Sequence, residues 1–172
     1  SLWDLEGTLS GAKEVVQDSW FDAVKQVPVI ISSGTLLPVK DFPMLMRAFA
    51  LIRKHTPARL VIVGDGPLKP DLLGLAEKLG ISKDFMILGY QSSSARYVAR
   101  ADVFALSSVV EGFANVLVEA LLLGVPVVAT NVGGPSYILD GGRYGLLVPA
   151  QDERAMAGAI TTVLEDTSLR AR

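Results

Sequence analysis

The chain has no cysteine and a single histidine, His55, among its 172 residues. The first absence excludes a disulfide framework, thiolate metal sites and a cysteine nucleophile. His55 lies beside Thr56 and Pro57 at the end of a helical pattern, where a solvated capping role suits it better than catalysis. There is no Asp-x-Asp pair, so the residues alone assemble no convincing metal site. Neither G-x-G-x-x-G nor G-x-x-x-x-G-K-[ST] occurs, which speaks against a dinucleotide-binding oxidoreductase domain and against P-loop chemistry. "GDGP" at Gly64–Pro67 reads instead as a strand exit and helix start. The formal net charge is only −2, so no global basic field recruits nucleic acid. No apolar run reaches membrane-spanning length, and the N-terminus lacks a basic-then-apolar signal layout. The chain begins at Ser1 rather than Met and reads as a piece of a longer protein.

What is present is globular. Hydrophobic residues make up 50% of the chain and charged ones 20%, enough for one domain with a substantial core. From Pro28 onward, short apolar runs alternate with longer amphipathic stretches. "VPVIIS", "RLVIVG", "FMILG", "VFAL", "PVVAT" and "YGLLVP" read as strands covered on both faces, as in a parallel sheet. Between them, helices are expected over 42–55, 69–79, 94–100, 114–123, 136–139 and 153–165. This alternation predicts a doubly wound, Rossmann-like α/β/α domain over residues 27–172, with about six mostly parallel strands. Asp41 and Pro43 suit a helix start, Gly80 and Gly124 suit helix ends, and Pro126 suits a strand start. Residues 1–26 follow no such alternation and read as an interdomain connector, with Trp20 and Phe21 docking on the domain.

In open α/β sheets, ligands bind beyond the carboxyl ends of the strands. The loops there carry Gly, Ser, Lys, Asp and Glu. In "EGFANVLVE", Glu111 precedes a helix expected from about Ala114, and Glu119 falls in its second turn. Eight residues at about 100° each bring the two within roughly a quarter-turn of one another. A helix N-terminus favours phosphate, and Gly112 admits a close ligand. A carboxylate beside such a site could accept from sugar hydroxyls; equally, the pair could be one dipole-satisfying acid and one solvated glutamate. In "SGTLLPVKDF", Gly34 permits a tight turn and Lys40 can reach back toward an anion, although a lone lysine also reads as a snorkelling one. Gly133 and Gly134 before a short helix form either a phosphate nest or a plain turn.

Taken in order, "GTLLPVKDFPMLMRAFALI", "ARLVIVGDGPLKPDLLGLAEKLGI", "ILGY", "RADVFALSSVVEGFANVLVEALLLGVPVVATNVGG" and "YGLLVP" resemble the C-terminal domain of the group 1 family of retaining glycosyltransferases. The resemblance covers roughly residues 28–165 and implies one half of a GT-B fold. It implies a hexosyl-type glycosyltransferase that binds a nucleotide-diphosphate sugar, UDP- or GDP-linked, without metal or other cofactor. The acceptor, a sugar or glycolipid, would be selected by an N-terminal domain beyond this chain, so the fragment alone is expected to bind nucleotide without transferring sugar. By the resemblance, Glu111 contacts the donor sugar and Lys40 neutralises the diphosphate leaving group. Glu119 accepts from the ribose hydroxyls, while Gly112, Phe113, Ala114 and Asn115 meet the sugar and diphosphate. Gly34 and Thr35 border the diphosphate; Gly89 and Tyr90 border the base. The family's arginine after the first glycine is here Thr35, and an acid after the Gly-Gly turn is here Tyr137. Those departures motivate an alternative: a degenerate, non-catalytic nucleotide-sugar-binding or assembly module. The family analogy also implies polysaccharide or glycolipid assembly in the cytoplasm, at the inner face of the membrane, with peripheral membrane association of the whole protein.

Overall fold

Runs such as "VIISS" and "RLVIV" have few polar side chains to turn toward water, so each strand must be covered on both faces. A computed structural model describes residues 4–166 except 15, 17 and 23–26. Part of the stretch read as a connector therefore lies outside the described residues. Six strands form one sheet: β1 (Val29–Ser33), β2 (Arg59–Val63), β3 (Phe85–Gly89), β4 (Val103–Leu106), β5 (Val127–Thr130) and β6 (Leu146–Val148). The order is β3-β2-β1-β4-β5-β6, and every pairing is parallel.

The helices are α1 (Leu5–Ala12), α2 (Phe42–Arg53), α3 (Lys69–Leu79), α4 (Ala95–Val98), α5 (Asn115–Leu122), α6 (Gly133–Ile138) and α7 (Glu153–Glu165). Alternate residues of one strand feed two cores. Ile30 packs with Leu45, Phe49 and Ile160 beneath α2 and α7, whereas Val29 and Ile31 pack with Phe104, Leu117 and Ala120 beneath α5. The three-layer, Rossmann-like α/β/α architecture expected from the alternation is the one observed. Asp41 caps α2 by accepting from the Met44 N–H, and Gly80 ends α3 in the left-handed region at φ 70°. Helices α2 and α5 end or begin within two residues of their sequence readings, and two others differ more. α4 is a single turn within 94–100, and α6 starts at Gly133, three residues early, because glycine and proline are tolerated in a first turn.

The stretch before β1 adds one element that periodicity did not mark, the helix α1, which packs on α4. Phe21 is buried, with its ring edge-on to Tyr97 at 5.4 Å, and the Arg59 guanidinium lies 4.8 Å over the Trp20 ring. Both aromatics dock on the domain, as their placement suggested. Among the described residues, no helix is long and apolar enough to cross a membrane.

Candidate functional site

The chain leaves β1 for α2 on one face of the sheet and leaves β4 for α5 on the other. β1 and β4 are neighbours, so their exit loops part at this point and open a crevice at the strands' carboxyl ends. Lys40 rides the β1 exit, in a single 3-10 turn over Pro38–Lys40, and Glu111 rides the β4 exit. Across the crevice the Lys40 Nζ donates to both carboxylate oxygens of Glu111, at 2.8 and 3.1 Å. Their side chains are 20% and 13% exposed, so the pair is largely shielded from water without being dry.

Hydroxyls hold the pair from behind. Ser108 Oγ donates to Glu111 Oε2 at 2.7 Å, and Thr130 Oγ1, at the end of β5, donates to the Ser108 carbonyl at 2.6 Å. Ser107 Oγ donates to the Lys40 carbonyl at 2.8 Å. Sequence reasoning missed these three; the available signal was their position at strand exits in an otherwise apolar run. It left Gly133–Gly134 open between a nest and a plain turn; the pair forms the first turn of α6 and also buttresses the Glu111 loop through its backbone. The Gly134 N–H donates to the Glu111 carbonyl at 3.2 Å, and a Cβ on Gly134 would overlap the Gly112 carbonyl oxygen.

Beside the ion pair lies a cavity of about 520 Å³ lined by Gly34, Thr35, Gly64, Asp65, Tyr90 and Glu119, with α1 and residues 91–95 as its further walls. Its floor is backbone. A Cβ on Gly64 would fall on the Gly34 carbonyl oxygen, and the Gly64 N–H donates to the Gly89 carbonyl at 2.9 Å. Gly34 borders Lys40 directly, since a Cβ there would stand 3.2 Å from Lys40 Cε. The "GDGP" stretch is thus more than punctuation, because Gly64 and Asp65 form part of the cavity. Glu111 and Glu119 divide the site between them: the first is held in the ion pair, the second lines the cavity. No side chain caps α5, whose N-terminal end follows exposed Gly112 and Phe113 and buried Ala114. A Cβ on Gly112 would meet open space. Tyr137, on α6, is 80% exposed.

Burial pushes the Glu119 carboxyl above its ordinary pKa. Folding therefore penalises its ionised form. The penalty is absent below the carboxyl's unfolded pKa, where both states are protonated, and complete once the pH exceeds the raised folded value. Glu119→Gln is thus expected to raise the Tm at neutral pH by roughly 1–3 °C. The gain should vanish in melts run under acid conditions; an equal gain at both pH values would show that the carboxylate's charge is not its source.

The sequence matches the family described as glycosyl transferases group 1 over residues 18–172. It is 38% identical over 142 residues to the N-acetylgalactosamine-N,N'-diacetylbacillosaminyl-diphospho-undecaprenol 4-alpha-N-acetylgalactosaminyltransferase of Campylobacter jejuni, covering 82% of this chain and 38% of that one. It is 33% identical over 165 residues to the lipopolysaccharide core biosynthesis glycosyltransferase LpsE of Rhizobium meliloti, covering 96% of this chain and 48% of the other. The chain thus spans about half the length or less of these relatives. Its fold superposes on HepE of Anabaena, solved in complex with UDP, with a TM-score of 0.84 at 26% identity over 98% of this chain and 48% of that one. With the family matched over most of its length and the Rossmann-like fold in common, this chain belongs to the group 1 glycosyltransferases.

Proposed function

We propose that this chain is the donor-binding half of a retaining, metal-independent hexosyltransferase, and that it holds a UDP- or GDP-linked sugar in the crevice between β1 and β4. The observation that carries the reading is the meeting of Lys40 and Glu111 at the switch in strand order, beside a cavity that contains Glu119. As the glycosidic bond to the diphosphate breaks, negative charge grows on the leaving phosphate. An ammonium already positioned there stabilises it without having to be recruited. Lys40 has three N–H donors and spends two on Glu111, so it can turn toward an arriving phosphate while Glu111 accepts from the sugar's hydroxyls. Glu119, already partly desolvated, accepts from the ribose hydroxyls, and the uncapped end of α5 with open Gly112 receives the sugar and diphosphate. That HepE, similar in fold, was solved in complex with UDP supports a nucleotide ligand. The proposed acceptor is a sugar or glycolipid, engaged by a further domain at the cytoplasmic membrane face; the undecaprenol-linked substrate named for the Campylobacter relative supports the glycolipid class.

Calorimetric titration of the chain with UDP, GDP and ADP tests the reading. Micromolar to millimolar binding of UDP or GDP is expected, weakened by about tenfold or more in Glu119→Ala, as loss of a charged hydrogen-bond acceptor implies. Binding of none of the three would overturn the proposal. Thr35, lining the cavity where the family resemblance places an arginine, favours a second reading, a binding module without turnover. Absence of transfer by the whole protein despite intact nucleotide binding would select it.

A further inference from the structure

Two segments close the far end of the cavity, and one of them, α1, is unexpected. α1 and its cap contribute Asp4, Gly7 and Thr8, facing the polar run Gln91–Ser94 that follows β3. α1 is not merely leaning there. Gly11 is buried against that run: a Cβ on it would stand 3.0 Å from Ser93 Oγ and 3.4 Å from Ala95 Cβ, so a larger residue would press on the Ser93 side chain. Arg100 reaches back from beyond α4 and donates to the Ala12 and Glu14 carbonyls at 3.1 and 2.9 Å. Arg96 donates to the Glu14 carboxylate at 3.0 Å with one nitrogen and to Gln91 Oε1 at 3.0 Å with the other. The same arginine therefore fixes the exit of α1 and the opposite wall of the cavity.

Charge decides which part of a ligand this end accepts. None of the described residues lining the cavity is a lysine or arginine, and two aspartates, Asp4 and Asp65, stand on its walls. Phosphate is repelled here and drawn to Lys40 past Gly34, while an uncharged heterocycle meets hydroxyl, amide and backbone groups. We propose that α1 is the outer wall of the nucleobase subsite, and that Thr8, facing the cavity, sets the space and one polar contact for the base. The inference rests on the nucleotide-binding reading above and adds a specificity element to it, supplied by a helix that lies before the sheet in sequence.

The test uses the full chain and two ligands, UDP and inorganic pyrophosphate, with thermal melts as the check on folding. Thr8→Trp, at a half-buried helical position, fills the subsite and is expected to weaken UDP at least tenfold while changing pyrophosphate affinity less than twofold. Thr8→Val keeps the shape and removes the hydroxyl; about threefold weaker UDP binding is expected, and this variant carries the test if the tryptophan disturbs folding. Unchanged UDP affinity in both variants would overturn the proposal. So would equal loss of both ligands in a folded Thr8→Trp chain, since that would place Thr8 in no distinct subsite. If the unaltered chain binds pyrophosphate but neither UDP, GDP nor ADP, the nucleotide reading itself falls. Nucleotide binding indifferent to Thr8 removes the α1 wall alone.

Discussion

Lys40→Ala is expected to weaken UDP binding by about ten- to a hundredfold, the equivalent of one charge-assisted hydrogen bond to phosphate. The same substitution should also lower stability, for a separate reason. It leaves the Glu111 carboxylate, 13% exposed, with the Ser108 hydroxyl still donating to it but no Lys40 cation beside it. Removing one member of a fully buried pair costs about 3–5 kcal/mol. Partial exposure of this pair brings the expected loss nearer 1–2 kcal/mol after screening. The double variant Lys40→Ala/Glu111→Gln separates the two effects, because the neutral amide no longer needs a cation. It should regain most of the lost Tm and none of the lost affinity. Recovery of both by the double variant would mean that Lys40 serves the fold and not the phosphate.

Adding a single methyl group at Gly134 should have the largest effect on the fold. A Cβ there overlaps the Gly112 carbonyl oxygen and comes within 3.1 Å of Phe113 Cα, and the three atoms nearest it are all backbone. No side-chain rotation relieves such a contact, so the loop bearing Glu111 must move. Overpacking of this sort costs about 1–3 kcal/mol and often more against rigid backbone, so Gly134→Ala is expected to lower the Tm by roughly 5–10 °C. Gly112→Ala is the control. Its Cβ meets open space, and the Tm should hold. Nucleotide-sugar affinity should nevertheless fall, because the added methyl occupies the place into which the ligand comes. A melt in which the two variants behave alike would contradict the buttress.

The contrast between those glycines also marks what a sequence can and cannot reveal. The sheet was legible because strands such as Val103–Leu106 and Val127–Thr130 are apolar on both faces, a pattern that only a two-sided cover satisfies. The strand-exit loops followed from the direction of a parallel sheet, and Glu111, Glu119 and Lys40 followed from those loops together with the family resemblance. The pairing of Lys40 with Glu111 was not legible. The two are 71 residues apart, and what joins them is the neighbouring of β1 and β4, a fact of strand order. Gly134 and Gly64 looked like turn residues because their reason for being glycine is a distant carbonyl. α1 escaped notice because "LEGTLSGA" holds two glycines and few apolar residues. It is held by Asp4 at its start, by Gly11 against Ser93, and by arginines that come some 80 residues later.

The most direct measurement is a crystal structure of this chain soaked with UDP. The diphosphate is expected within hydrogen-bond reach of Lys40 Nζ, the ribose hydroxyls on the Glu119 carboxylate, and the base between α1 and residues 91–94. A nucleotide seated elsewhere, for instance in the apolar groove near Pro126 and Tyr144 at the other end of the sheet, would contradict this placement.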